Sequence, residues 1–331
     1  MKAVVMPAPG GPEVLLYEDI QEPGLESPSQ VKVQIRAAGV NPVDTKIRSR
    51  GVFMADGLQA VLGCDAAGVV VEAGEAVQHL EVGDEVWFCN GGLGGSHGNY
   101  AEFAVLDACL VRKKPTTFNF EQAGAAPLVL ITAWEALFGR GRLAEGQTVL
   151  IHAGAGGVGH VAIQLAKSVG ARVLTTVSSV EKADFVKSLG ADEAILYTQE
   201  DFVEVVDRLT KGRGVDLVLD TVGPEVFAKS IPTVAHYGDL VTLLDPGGEQ
   251  VWKEARNRNI RVGFTLMLTP MLRDLPEARD HHGEILEQCA ELADSGKLDL
   301  RVSRVMPLEE AAEAHRLVEV GHTRGKIVLI P

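Results

Sequence analysis

Residues 148–166 read TVLIHAGAGGVGHVAIQLA, and this stretch decides the fold of the chain. The apolar run TVLIHA precedes Gly154, Gly156 and Gly159, which have the spacing G-x-G-x-x-G, and apolar residues at helical spacing follow. Between a strand and a helix, such glycines permit a tight turn, close approach of a pyrophosphate and close helix–strand packing. The stretch therefore predicts a dinucleotide site at the N-terminal end of a helix beginning near Val158, with a ligand-free glycine turn as the alternative.

The segments on either side of this loop predict two domains. Between 121 and 265, apolar runs such as RVLTTVS, GVDLVLD, DLVTLL and RVGFTL alternate with helical patterns, as in right-handed βαβ units on a parallel sheet. Residues 1–120 instead alternate short apolar runs with Gly, Pro and Asp turns, which indicates a β domain. A final strand within 266–331 needs a sheet to join, so we expect this segment to complete the β domain.

Composition and charge exclude several classes of protein. The formal net charge of −14 disfavours a general affinity for nucleic acid or for an anionic membrane. No apolar run approaches the roughly 20 residues that span a bilayer, and the N-terminus lacks the apolar core of a signal peptide. The four cysteines are scattered without a CxxC pair. We therefore expect a cytoplasmic protein with reduced thiols.

The end of the strand after the glycine loop bears on the choice of dinucleotide. An enzyme that prefers NAD has an acidic residue about 20 positions beyond the first glycine. This chain has Ser178 and Ser179 there, with Lys182 just beyond. Hydroxyls and an ammonium suit a 2′-phosphate and favour NADP(H). Glu181 is the conflicting residue, and Lys182 has the alternative of a solvated residue in the first turn of a helix.

Several motifs occur in a fixed order from one end of the chain to the other. They are AAGVNPVDTKIRSRG, LGCDAAGVVVEAG, VGDEVW, GNYAEFAV, AAPLVLITAWEAL, the glycine loop, LVLDTVG and GKIVLIP. In these motifs the chain resembles the medium-chain dehydrogenase/reductase superfamily, and within it the zinc-independent quinone oxidoreductase (zeta-crystallin-like) branch. The resemblance implies an α/β fold in which a GroES-like β domain accompanies a Rossmann domain with a doubly wound parallel sheet.

The resemblance also bears on a metal. Zinc members of the superfamily bind a catalytic ion at three positions, which here match Asn41, Cys64 in the triplet Gly63-Cys64-Asp65, and Leu128. An amide and an aliphatic side chain are poor zinc ligands, and one thiol does not hold the ion. We predict no metal site and interpret Cys64 as a small buried apolar residue, with ligand or nucleophile as the alternatives.

Without a Lewis acid an alcohol is hard to deprotonate, whereas a quinone or an enone accepts hydride more readily. The resemblance thus implies NADPH-dependent hydride transfer to a quinone or to an activated alkene or carbonyl. Asn41, Lys46 and Thr132 are the candidate catalytic residues. Lys46 stands where relatives often have an aromatic residue, and its alternative is a solvated lysine. Thr132 has the alternative of bonding its own helix backbone.

The candidate cofactor residues come from the loop and from the resemblance. They are Gly154, Gly156, Gly157, Val158, Gly159, Ser178, Ser179, Lys182, Tyr197 near the adenine ribose, Leu243 and Phe264 beside the nicotinamide, and Lys326 at a phosphate. Two other functions stay open: an alcohol dehydrogenase that uses zinc or a proton relay, and an NADPH-binding protein without turnover. We also expect a homodimer, formed through edge strands at DLVTLL and RVGFTL.

Overall fold

The computed structural model describes residues 1–53, 60–94, 98–247, 252–321 and 324–331. The chain divides into two compact units. The first unit comprises Met1–Leu128, Leu268–Gly296 and Leu300–Pro331, and the second comprises Val129–Met267 and Lys297–Asp299. Within the described ranges, none of the helices has the length and apolar character needed to cross a membrane.

The strands, in chain order, are β1 (Lys2–Met6), β2 (Leu16–Asp19), β3 (Gln30–Val40), β4 (Ala60–Val61), β5 (Asp65–Ala73), β6 (Glu85–Cys89), β7 (Phe103–Asp107), β8 (Arg112–Lys113), β9 (Thr148–Ile151), β10 (Arg172–Val177), β11 (Glu193–Leu196), β12 (Val215–Asp220), β13 (Val234–Thr242), β14 (Arg261–Phe264), β15 (Val302–Pro307) and β16 (Lys326–Ile330). The helices are α1 (Pro42–Arg50), α2 (Phe120–Ala125), α3 (Pro127–Trp134), α4 (Gly157–Ser168), α5 (Val180–Ser188), α6 (Phe202–Thr210), α7 (Pro224–Ser230), α8 (Trp252–Asn257), α9 (Thr269–Leu272), α10 (Pro276–Asp294) and α11 (Ala311–Val320).

The first unit is built on β-sheets. Its larger sheet has the order β15-β16-β3-β5-β6-β8, with β7 also paired to β3, and a smaller sheet has the order β2-β1-β4. Alternate residues of β3 are buried, including Val31, Val33 and Ile35, as expected for a strand with one face on a core. The C-terminal strand β16 runs antiparallel to β3 with Ile327 opposite Val40. This register places Lys326, the first residue of β16, next to Asn41.

The second unit is a parallel sheet with the order β11-β10-β9-β12-β13-β14. Helices connect the strands, and the predicted α/β class with a doubly wound sheet is confirmed. The strand order reverses between β9 and β12, the place where such folds bind ligands at the carboxyl ends of the strands. The prediction of two edge strands is right for β14 and wrong for β13, which lies between β12 and β14.

Candidate active and cofactor sites

A buried polar cluster lies at the N-terminal end of α1 in the first unit. We define it as Asn41, Asp44, Asp65, Tyr100, His315 and Lys326, all of them buried. Helix α1 begins directly after Asn41 because Pro42 has a backbone already suited to the first helical position and lacks the N–H that would have no partner there. The Asp44 carboxylate accepts the Asn41 N–H at 2.8 Å, which fixes this turn.

Asp65 is the centre of the cluster. One carboxylate oxygen accepts from Asn41 Nδ2 at 2.9 Å, and the other accepts from the Leu128 N–H at 2.7 Å. The Lys326 ammonium lies 3.8 Å from Asp65 and donates both to Asn41 Oδ1 and to the Val40 carbonyl. One orientation of the Asn41 amide satisfies both neighbours, because an ammonium only donates and a carboxylate only accepts. The amide therefore bridges an internal ion pair.

Burial changes the acidity of these groups. It raises the pKa of Asp65 to about 6, against the opposing effect of Lys326, and it lowers the pKa of Lys326. The contacts assign a charged Asp65–Lys326 pair, because the ammonium donates to two oxygen atoms and the carboxylate accepts two N–H groups. Burial also raises the pKa of the Cys64 and Cys89 thiols, so both are neutral at pH 7. The interpretation of Cys64 as a buried apolar residue is consistent with its complete burial.

The three positions matched to zinc ligands thus meet around Asp65, and their chemistry does not suit zinc. They offer an amide, a neutral thiol and a leucine whose backbone N–H points at the carboxylate. The cation at this place is the Lys326 ammonium, whose charge would oppose a divalent ion. In the described ranges, no group of three or more His, Cys, Asp or Glu side chains is arranged to hold a metal.

A second branch of the cluster runs from Asp44 to His315. The Tyr100 hydroxyl donates to Asp44 at 2.9 Å and lies 3.3 Å from His315 Nε2. Burial lowers the pKa of His315 to about 3, so the ring is neutral, and burial raises the pKa of Asp44 from 3.8 to about 7. Sequence reasoning missed Asp44, Tyr100 and His315, because no spacing in the chain signals that they meet.

The raised pKa of Asp44 predicts a pH dependence of stability. In the folded state Asp44 keeps its proton up to about pH 7, whereas in the unfolded chain it loses the proton near its ordinary pKa of 3.8. Its contribution is present below that value and is lost as the pH rises from about 4 to about 7. We expect Asp44→Asn to flatten the fall in unfolding free energy over this range, measured by urea denaturation at several pH values. An unchanged slope would contradict the assignment.

The other two candidate catalytic residues are Lys46 and Thr132, which are not members of this cluster. Lys46 is exposed on α1, as for a solvated lysine, and Thr132 is buried on α3 within the second unit. Asn41 has no exposed surface, so its contact with an acceptor stays a prediction. The predicted phosphate contact of Lys326 also stays untested, and its ammonium is directed at Asn41 and Val40.

In the second unit, the glycine loop connects β9 to α4 with little room for side chains. A Cβ at Gly154 would overlap Thr175 Oγ1, and a Cβ at Gly159 would overlap the Ala153 carbonyl oxygen. Helix α4 begins at Gly157, so the N–H groups of its first turn have no acceptor within the helix. These features fit a pyrophosphate, which backbone N–H groups and the helix dipole bind.

The remaining cofactor candidates lie at the carboxyl edge of the same sheet. Ser178 and Ser179 follow β10, and Tyr197, which is 53% exposed, follows β11 and donates its N–H to Val177. Leu243 follows β13, and the exposed Phe264 ends β14. The neighbouring Thr265 has a buried hydroxyl without a hydrogen-bond partner among the described residues, as expected where a polar ligand binds.

Helix α5 places an acid beside the predicted 2′-phosphate site. The Ser179 hydroxyl caps the helix by accepting the Lys182 N–H at 3.3 Å. It also hydrogen-bonds to the Glu181 carboxylate, which lowers the pKa of that carboxyl. Ser178 and Lys182 are both half-buried in the same turn. The site therefore presents a cation and a carboxylate within one turn of helix.

Comparisons with known proteins agree with this architecture. Residues 27–116 match the alcohol dehydrogenase GroES-like domain, and residues 189–329 match the zinc-binding dehydrogenase family. A quinone oxidoreductase of Pseudomonas aeruginosa is 35% identical, with 100% of this chain and 99% of the relative covered. A 2-haloacrylate reductase of a Burkholderia species is 32% identical, with 99% and 98% covered.

A solved structure of the Escherichia coli quinone oxidoreductase in complex with NADPH gives a TM-score of 0.87 at 29% identity, covering 100% of both chains. Two linked units, one GroES-like and one with a parallel dinucleotide-binding sheet, define the class of medium-chain oxidoreductases. The chain belongs to the medium-chain dehydrogenase/reductase superfamily and, within it, to the quinone oxidoreductase branch.

Proposed function

We propose that the protein is an NADPH-dependent oxidoreductase that reduces quinones or activated alkenes and carbonyls without a metal. The observation that carries this proposal is the chemistry at the three positions matched to zinc ligands, which offer the Asn41 amide, a neutral Cys64 thiol and Leu128. The Asn41 amide is held between Asp65 and the Lys326 ammonium, whose charge would oppose a zinc ion. The named activities of the relatives, quinone oxidoreductase and 2-haloacrylate reductase, support the same class of acceptor.

The chemistry of such acceptors explains why a metal is dispensable. NADPH, when bound, supplies the hydride. The carbonyl conjugated to the acceptor carbon takes the developing negative charge, whereas an alcohol needs a Lewis acid to stabilise its alkoxide. The chain's part is to bind the dinucleotide at Gly154–Gly159, orient it, exclude water and offer donors to the acceptor oxygen. Asn41, Lys46 and Thr132 remain the proposed donors.

The direct test is consumption of NADPH against a panel of quinones and enones, followed by its absorbance. Turnover of at least one class supports the proposal, and dependence on the electron demand of the acceptor would strengthen it. Tight NADPH binding with no turnover on any acceptor would favour the binding protein without activity. Reduction of NADP⁺ by simple alcohols, with no turnover of quinones or enones, would favour the dehydrogenase.

We further propose NADP(H) over NAD(H), because the turn after β10 offers Ser178, Ser179 and the Lys182 ammonium. Lys182→Ala is expected to weaken NADPH binding about tenfold with little change for NADH, since a charge-assisted bond to phosphate contributes about 1.5 kcal/mol. Glu181→Gln tests the same site with the opposite expected effect on NADPH affinity. Removal of the carboxylate that bonds Ser179 is expected to strengthen NADPH binding several-fold.

Dissociation constants of both dinucleotides, measured by fluorescence titration, check these two variants. Lys229→Ala is a suitable control, because this lysine of the same unit pairs with Asp201 on the surface. Equal loss of NADPH and NADH affinity in Lys182→Ala would contradict the assignment of that ammonium to a 2′-phosphate.

We also propose a homodimer that forms through β14. In the described part of the second unit this strand pairs on one side only, with β13, and its end carries the exposed Phe264. A free edge with exposed apolar residues is prone to pair with another strand. Light scattering at micromolar concentration is expected to give twice the chain mass of 35.3 kDa, and a monomer would refute the proposal.

A further inference from the structure

A chain of buried hydrogen bonds holds the start of the glycine loop. His152 follows β9 and is 1% exposed. Its Nδ1 lies 3.1 Å from Thr176 Oγ1, and its Nε2 lies 2.8 Å from Ser230 Oγ. The Thr176 hydroxyl also accepts the Ala153 N–H at 3.1 Å. These contacts connect the ends of β9 and β10 to α7, directly before the first glycine of the loop.

The donor and the acceptor of each of these hydrogen bonds follow from the groups at the two ends of the series, the Val226 carbonyl and the Ala153 N–H. Ser230 donates its hydroxyl hydrogen to the Val226 carbonyl at 2.6 Å, so its oxygen accepts from His152 Nε2–H. A neutral imidazole has one N–H, which leaves Nδ1 as an acceptor. Thr176 must then donate to Nδ1 while it accepts from Ala153. Burial supports a neutral ring, because it lowers the pKa of His152 to about 3.

The residue at the end of this chain needs such support. Ala153 has a φ of +51°, in the left-handed region that costs a non-glycine residue about 1–2 kcal/mol. Its carbonyl accepts the Gly156 N–H at 2.9 Å, so the conformation of Ala153 sets the path of the whole loop. Thr221 Oγ1 donates to the His152 carbonyl at 2.8 Å and holds the same peptide unit from the other side.

We propose that His152, as the neutral Nε2–H tautomer acting through Thr176, is a positioning residue that fixes Ala153 and thereby the pyrophosphate loop. This role rests on the proposed function, because preorganisation of the loop affects an affinity only if the loop binds a dinucleotide. Preorganisation lowers the cost of ordering the loop when the ligand binds, so the effect falls on affinity for the dinucleotide.

The test uses matched substitutions in the full chain. Thr176→Val keeps the shape and removes the hydroxyl, and His152→Phe keeps the aromatic contact with Phe202 while removing both nitrogens. Thr176→Ser is the conservative variant that retains the hydroxyl. Thr233→Val is the control: its hydroxyl is buried and donates to the Ser230 carbonyl at 2.7 Å, away from the loop.

We expect Thr176→Val and His152→Phe to raise the NADPH dissociation constant about tenfold, the effect of one hydrogen bond on a preorganised loop. Thr176→Ser and Thr233→Val should stay within about twofold of the parent protein. Thermal unfolding shows that each variant is folded. The KM for the acceptor at saturating NADPH should not change, because the effect lies on the cofactor step. If the role of Thr176 were purely structural, Thr176→Val and Thr233→Val would both lower the stability of the protein. The NADPH dissociation constants of the two variants would then not differ.

Nitrogen NMR of histidine-labelled protein tests the tautomer itself. The expected signature is a neutral His152 ring with its proton on Nε2 throughout pH 6–8. An Nδ1–H tautomer, or an unchanged NADPH affinity in folded Thr176→Val, would overturn this inference and leave the proposed function intact. A parent protein that binds neither NADPH nor NADH would overturn both.

Discussion

Lys326→Met is expected to destabilise the first unit by about 3–5 kcal/mol, the cost of leaving one partner of a buried ion pair without the other. Asp65 has no exposed surface, so its carboxylate cannot turn to water when the ammonium is removed. Asn41 also loses the donor to its amide oxygen. Urea denaturation of the parent and variant measures the difference. Lys2→Met is the matched control, since Lys2 pairs with Asp19 at the surface and should change stability by less than about 1 kcal/mol.

A double variant shows whether charge, rather than packing, causes this loss. With Asp65→Asn added to Lys326→Met, neither position of the former ion pair carries a buried charge, and the Asn41 amide is free to rotate and accept from the new amide. We expect at least half of the lost stability to return. An effect of Lys326→Met below about 0.5 kcal/mol would mean that the ion pair is not formed.

Gly154→Ala is expected to weaken NADPH binding by about 30-fold, or about 2 kcal/mol. The fold of the first unit should not change. The new Cβ would overlap Thr175 Oγ1, which donates to the Ile151 carbonyl at 2.7 Å and so is not free to move away. Either the threonine gives up this bond or the loop shifts from its position before α4. Fluorescence titration with NADPH measures the affinity, and circular dichroism confirms the fold.

Gly139→Ala is the matched control for this substitution. Gly139 lies in the same unit, and a Cβ there would meet nothing within 4 Å. NADPH affinity should therefore stay within about twofold of the parent value. Equal affinities in Gly154→Ala and Gly139→Ala would contradict the placement of the dinucleotide at this loop.

The parts of the fold that depend on local pattern were predictable from the sequence. The glycine spacing and the alternating strands and helices predict a doubly wound sheet, which is confirmed. The observed strand order is the one typical of a dinucleotide-binding fold. The mismatch of Asn41 and Leu128 with zinc chemistry was also predictable once the resemblance had supplied the ligand positions, because the identity of a side chain is enough to judge a metal ligand.

The contacts that build the candidate site were not predictable, because they depend on register between distant segments. Lys326 reaches Asn41 only because β16 pairs with β3 at Ile327 and Val40. No periodicity indicates that pairing, so sequence patterns do not place Lys326 beside Asn41. His152 was overlooked because it precedes the glycines, and its partners Thr176 and Ser230 lie on other elements.

We propose that this chain transfers hydride from NADPH without a metal. The most direct measurement combines elemental analysis of the purified protein with NADPH-dependent reduction of a quinone or an enone, before and after exhaustive chelation. We expect substoichiometric zinc and an activity that chelation leaves unchanged. One zinc ion per chain, lost together with the activity and restored with it, would contradict this account.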